Sequence, residues 1–433
     1  MKNKSLYPKN FWPVLVIFSL VGQIAWVVEN MYLNVFIYKM FQATPEQISL
    51  MVSASAISAT VTTILIGALS DKIGKRKIFI SAGYILWGIS IIAFAFVRVD
   101  VLSALFPVAS ASAIGVSLVI ILDCVMTFFG SSANDAAFNA WLTDSTENSG
   151  RGAAEGVNAT MPLIAILAVF GGFMAFDLNK SESWTAIYLI IGISVLIIGA
   201  LGIFLIKEEP KALSENNSFF KNIFYGFKPS VISKNPLLYV TLVGFAVFGI
   251  SIQIFMPYLI LYYNVSLKMD NYVLIMAPAI IIAAIVTILY GKLYDSKGFM
   301  KSVIPTLIML CAGYVLLFFF KSVALVFIGS LLMMCGYLSG AAVFGAMIRD
   351  YTPSGKAGMF QGLRIVCQVL IPGIIGPAIG AKVLENAEMI VNDDGTSSFV
   401  PNENIFLAAL IVIAFLAVVL IAEGILIKKN KNK

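Results

Sequence analysis

Histidine is absent from this 433-residue chain. Its absence removes the commonest metal ligand and the side chain that ordinarily titrates nearest neutrality, so any proton or cation handling falls to carboxylates. Charge is scarce too. Asp, Glu, Lys and Arg make up 12% of the residues and hydrophobic types 60%, where a soluble domain carries about 25% charged and about 45–50% apolar residues. That deficit excludes a water-soluble globule and makes lipid the solvent. The four cysteines (Cys124, Cys311, Cys335, Cys367) lie inside apolar runs at no motif spacing and read as small core residues. No G-x-x-x-x-G-K-[ST] segment occurs, so no ATP-binding phosphate loop is in evidence. With no metal-ligand cluster and no added soluble domain, the expectation is a protein that is not an enzyme, has no catalytic residues and holds neither metal nor cofactor.

Apolar length is what the chain has in quantity. A span needs about 20 apolar residues. Twelve fit, at 11–38, 46–69, 78–97, 112–142, 154–176, 185–206, 237–263, 271–292, 302–320, 323–348, 358–381 and 404–427. The polar start, MKNKSLYPKN, is followed by a full span rather than a short leader core. The polar stretch 207–236 divides the runs into a 1–206 bundle and a 237–433 bundle joined by a central loop. With both termini on one side, 22 Lys and Arg fall on that side, 6 on the other, and Arg364 within a span. The positive-inside rule therefore predicts cytoplasmic termini in a cell membrane. The basic residues are scattered over inner loops and form no aromatic-interleaved patch, which argues against nucleic acid as a partner.

Two segments occur twice. GALSDKIGKRK (67–77) and GKLYDSKGFMK (291–301) share Gly67, Leu69, Asp71 and Gly74 with Gly291, Leu293, Asp295 and Gly298, at an offset of 224 residues. LTDSTENSGRGAAEGVN (142–158) lies over IRDYTPSGKAGMFQGLR (348–364) without a gap, at an offset of 206, matching Asp144, Thr146, Gly152 and Gly156 to Asp350, Thr352, Gly358 and Gly362. A duplicated apolar chain predicts two homologous halves.

On these motifs and the twelve runs, essentially the whole chain resembles the major facilitator superfamily. The resemblance implies an all-α membrane protein of two pseudo-symmetric six-helix bundles, alternating access, and a cytoplasmic latch formed by Asp71 and the basic residues after it. Within the superfamily, 22–32 (GQIAWVVENMY), 133–144 (ANDAAFNAWLTD) and the eleventh-span run resemble the glycoside–pentoside–hexuronide cation symporters and their sucrose-carrier-like relatives. The second span departs from that branch's sodium carriers. It holds carboxylates only near its ends, Glu46 and Asp71, which leaves H+ and Na+ both open. The implied function is cation-coupled uptake of a small polar solute such as a sugar or glycoside, by a monomer in the bilayer. Export of amphipathic drugs or flipping of lysolipids is the alternative on the same fold.

An ionised side chain at mid-membrane costs at least ~2.5–3.5 kcal/mol, so each calls for a reason. In the first span Gln23, Trp26, Glu29, Asn30 and Asn34 recur at three- and four-residue steps. Glu29 lies roughly 27 Å along it, beyond the midplane. The fourth span carries Asp123, Asn134, Asp135 and Asn139, with Asp135 about 13 Å from the inner end. The eleventh offers Gln361, Arg364 and Gln368, and the matching fifth-span positions carry Glu155 and Asn158. Apart from Asp123 and Glu155, these are the candidate solute and coupling-ion residues. Candidate latch residues are Gly67, Asp71, Gly74, Lys75, Arg76, Asp144, Arg151, Asp295 and Asp350. Trp141 reads as an interfacial anchor, and Pro162, Pro257, Pro278, Pro372 and Pro377 as kinks.

Overall fold

The computed structural model of the chain describes residues 7, 10–146, 151–207, 225–353, 357–392 and 395–431; the side chains at 71, 108–110, 151–152, 357–359, 361 and 429–431 fall outside that description. Lipid offers no hydrogen bonds, so a spanning segment must satisfy its backbone internally, and a helix does so. Twelve described helices are long and apolar enough to cross a membrane: Phe11–Phe41, Pro45–Ser70, Arg76–Phe94, Ala111–Asp144, Ala153–Phe173, Ser181–Leu205, Pro236–Ser266, Val273–Lys297, Phe299–Phe319, Val323–Tyr351, Gly362–Leu384 and Asn404–Lys428. The protein is multi-pass and nearly all-helical, as the apolar runs predict. Between the third and fourth spans lies a short helix, Val99–Leu105, ended by an extended Phe106 and Pro107. Arg98 anchors this loop by donating to Asp100 at 2.9 Å, and that bond holds the Asp100 carboxyl below its usual range. A two-stranded antiparallel hairpin, Met389–Val391 with Ser397–Phe399, lies between the eleventh and twelfth spans; nothing in the sequence pattern announced it.

The duplicated motifs adopt the same local structure. Gly74 and Gly298 both take positive φ (68° and 78°), a conformation that favours glycine. Each donates its N–H to the carbonyl four residues back, Ser70 at 2.9 Å and Tyr294 at 2.8 Å, ending its helix. The second motif repeats as well. Thr146 donates to Leu142 O at 2.9 Å and Thr352 to Ile348 O at 2.6 Å.

The residues group into two compact units, Met1–Ala43 with Ile57–Asn217, and Thr44–Ala56 with Ser218–Lys433. The second span is thus divided. Its first half packs inside the second unit, where Pro45 O accepts from Tyr258 at 3.0 Å and Ser53 donates to Gly373 O at 3.3 Å. In the first unit, the third and sixth spans meet backbone to backbone; a Cβ at Gly88 would lie 2.5 Å from Leu196 N. In the second, the ninth and tenth spans do the same, a Cβ at Gly313 falling 2.5 Å from Met333 N. Such approach is what small residues permit where burial from water drives nothing. Gly313→Ala is therefore expected to destabilise the protein by about 1–3 kcal/mol, because the obstructing atom is backbone and cannot rotate away. A melting temperature in detergent equal to wild type would contradict this.

Candidate functional site

Four spans contain a widened π turn, at Val28–Tyr32, Ser131–Phe138, Tyr262–Ser266 and Val366–Leu370. Such turns are frequent at functional sites because the extra residue displaces backbone groups and re-aims side chains. Three of the four carry residues singled out from the sequence: Glu29 and Asn30, Asn134 and Asp135, and Gln368.

In the first unit the π turns of the first and fourth spans bring several of these residues together. Trp26 Nε1 donates to Asn134 Oδ1 at 3.4 Å, Asn134 Nδ2 donates to Tyr84 Oη at 2.7 Å, and Tyr84 donates to Phe18 O at 2.7 Å. Asn134 is therefore held in a closed chain, 4% exposed, and Gly22 leaves the room for it: a Cβ there would meet Asn134 Nδ2 at 2.5 Å. Its neighbour Asp135 is half-buried and accepts from Ser131 at 2.9 Å through Oδ2. Glu29 is buried, with Thr127 donating to Oε1 at 2.7 Å. Asn30, Asn34 and Asn139 donate to the carbonyls of Trp26, Asn30 and Asp135 at 2.8, 3.0 and 3.2 Å, pinning the widened turns. Asn30 and Asn139 remain exposed and Gln23 half-buried, whereas Asn34 is 1% exposed. Asn158 of the fifth span accepts from Ser19 at 2.5 Å. Trp141 is no surface anchor. It is 2% exposed and stacks on Phe11 and Phe138, each at 5.5 Å.

In the second unit Arg364 is exposed and donates through Nε to Gln368 Oε1 at 3.2 Å. Among the described residues it forms no ion pair with Asp350. The side chain of Gln361 lies outside the described residues. The seventh-span π turn, which sequence reasoning did not mark, places Tyr263 against Ser330 at 2.6 Å.

The latch residues part company between the halves. Arg76, 9% exposed, donates to Asp144 at 3.4 Å and also to Ser70. Gly67 sits beside Ala136; a Cβ there would stand 3.9 Å from it. Lys75 and Asp295 are exposed, and the side chains of Asp71 and Arg151 lie outside the described residues. In the second unit Asp350 accepts from Tyr294 at 2.6 Å. By the 224-residue offset Tyr294 stands where Ser70 stands in the first half, and Met300 where Arg76 stands. One long phenol thus replaces a serine-plus-arginine relay. Sequence reasoning missed Tyr84, Thr127, Ser131 and Tyr294 because a hydroxyl has no periodic signature; for Tyr294 the repeat alignment was the available signal.

The family model described as Major Facilitator Superfamily matches residues 14–377. Among curated proteins, Sugar efflux transporter A of Dickeya chrysanthemi is 25% identical over 197 residues, 46% of this chain and 46% of that protein. The match therefore spans about half the length of this relative. Solved structures share the fold: a point mutant of the nucleoside transporter NupG (TM-score 0.72, 13% identity, 95% of this chain and 99% of that one), a bacterial homologue of the human lysosomal transporter Spinster, inward-facing and occupied (0.69, 15%, 95% and 96%), and the xylose transporter XylE from E. coli (0.67, 13%, 94% and 97%).

Proposed function

The chain belongs to the Major Facilitator Superfamily, and from that premise we propose that it is a secondary transporter for a small polar solute of the sugar or nucleoside class, driven by H+ or Na+ through alternating access. The observation that carries the reading is the polar set on and beside the π turns of the first and fourth spans: a half-buried carboxylate at Asp135, exposed amides at Asn30 and, just past its turn, Asn139, and the Trp26 ring just before the other. Hydroxyl-rich solutes need directional donors and acceptors within an otherwise apolar wall, and an aromatic face suits their C–H surfaces. Similarity to a sugar efflux transporter supports the solute class and favours outward movement over the uptake expected from the sequence. Buried Glu29 and half-buried Asp135 are the coupling-ion candidates. Arg364 with Gln368 supplies the cationic and amide groups of the second half. Arg76 with Asp144 and Tyr294 with Asp350 serve as the latches. The chain works as a monomer in the cell membrane with both termini cytoplasmic.

Counterflow in proteoliposomes tests the solute. Labelled hexoses, pentoses and nucleosides are offered against an imposed pH or sodium gradient, with amphipathic cations as controls. Saturable flux of a sugar or nucleoside that responds to one of the gradients is expected. Movement of the amphipathic cations alone would transfer the reading to drug export.

A further inference from the structure

We propose that Glu423 is a proton-binding site, carried as the neutral acid and joining the twelfth span to the seventh through Thr241. The proposal does not depend on which solute the protein carries. Glu423 is 0% exposed, in a helix that is otherwise apolar from Ile405 to Leu420. Its Oε1 is hydrogen-bonded to the Thr241 hydroxyl, and its Oε2 is buried with no hydrogen-bond partner among the described residues. Thr241 is itself 0% exposed, and its hydroxyl also reaches the Leu237 carbonyl at 2.9 Å. A hydroxyl has one hydrogen and two lone pairs. When that hydrogen goes to Leu237, the hydrogen in the second contact must come from the carboxyl. One proton on Glu423 then completes both bonds, with Glu423 donating to Thr241 and Thr241 donating to Leu237.

The surroundings support the neutral form. The seventh, ninth and eleventh spans pack against the twelfth. Their titratable groups are committed elsewhere or lie at the surface. Tyr239 donates to Gly226 O, Tyr258 to Pro45 O and Tyr262 to Leu317 O; Tyr263 is bonded to Ser330 and Tyr314 to Ser251; exposed Arg364 donates to Gln368, Lys382 is paired with Glu385, and Lys301 is exposed. Cys311 on the ninth span is a half-buried thiol without charge to offer. On the twelfth span itself Lys428 is exposed. No described cation therefore answers a charge on Glu423. Leaving an unanswered ion in such a place costs far more than leaving one neutral carbonyl oxygen without a donor.

Infrared spectra of the purified protein at neutral pH test this. The wild type is expected to show a protonated-carboxyl C=O band that E423Q lacks, while E423Q folds, since an amide copies the shape and donor of the neutral acid. T241V is expected to keep the band but shift it, because the acid loses its acceptor. T241V also serves if E423Q does not fold. As pH is raised, amide hydrogen exchange in residues 236–244 is expected to accelerate more in wild type than in E423Q as the joint opens. Wild-type and E423Q spectra that superimpose, a band unmoved in T241V, or exchange profiles that stay parallel at every pH would each overturn the proposal.

Discussion

Replacing Asp135 with Asn is expected to abolish gradient-driven accumulation of the solute while sparing exchange at equal concentrations on the two sides. Asn has the size of Asp, and its Oδ1 can still accept from Ser131, which donates to Asp135 at 2.9 Å in the native protein. What disappears is the charge that a coupling cation neutralises. A fall of at least about tenfold in the accumulation ratio is expected, equivalent to about 1.4 kcal/mol of lost coupling. Both carboxylates sit in widened turns and each accepts from one hydroxyl; Asp135 is favoured over Glu29 for this effect because it is half-buried, whereas Glu29 is 6% exposed. Accumulation at the wild-type level in the Asp135→Asn protein would remove this carboxylate from the mechanism.

The second large effect is expected at Arg76. Arg76→Ala deletes a 9%-exposed donor that serves Asp144 and Ser70 together, and it removes the ion pair between Arg76 and Asp144. Hydrogen bonds to charged groups contribute about 1.5–3 kcal/mol, so a loss of that order in stability, with a matching fall in transport rate, should follow. Arg76→Lys should recover only part of it, since a single ammonium cannot copy the guanidinium fork. Tyr294→Phe provides the contrast. It removes one bond to an exposed Asp350 and leaves the ring in place, so its effect on melting temperature in detergent should be several-fold smaller. Equal losses in the two variants would show that the two latches are not the unequal devices their geometry makes them.

Legibility in the sequence followed the range of the interactions involved. The twelve spans were plain because each is an apolar run of membrane length, and that signal is additive over some twenty residues. Gly74 and Gly298 were legible as a pair because the duplication repeats them, and both turn out to end a helix at positive φ. The rest depends on contacts between distant parts of the chain. Asn134 stands out as a polar residue at depth, yet its partners Tyr84 and Trp26 lie 50 and 108 residues away. No period reveals that it closes a chain of hydrogen bonds. The π turns shift a helix by one residue through packing, which composition does not record. Trp141 sits near the end of an apolar run, where a tryptophan suggests an interfacial anchor, but Phe11 and Phe138 enclose it. Glu423 lies inside the 404–427 run, but no second polar side chain stands within a turn of it in that run, so no period draws attention to it.

The division of the second span has a bearing on the history of the chain. The sequence duplicates as two copies, but the packing does not part along the seam of the duplication: Thr44–Ala56 is coded in the first copy and seated in the second unit. Expressing either copy by itself is expected to separate Thr44–Ala56 from the residues it packs with. Whatever pair of equal ancestors gave rise to this protein, the thirteen residues from Thr44 to Ala56 have tied their descendants into a single inheritable object.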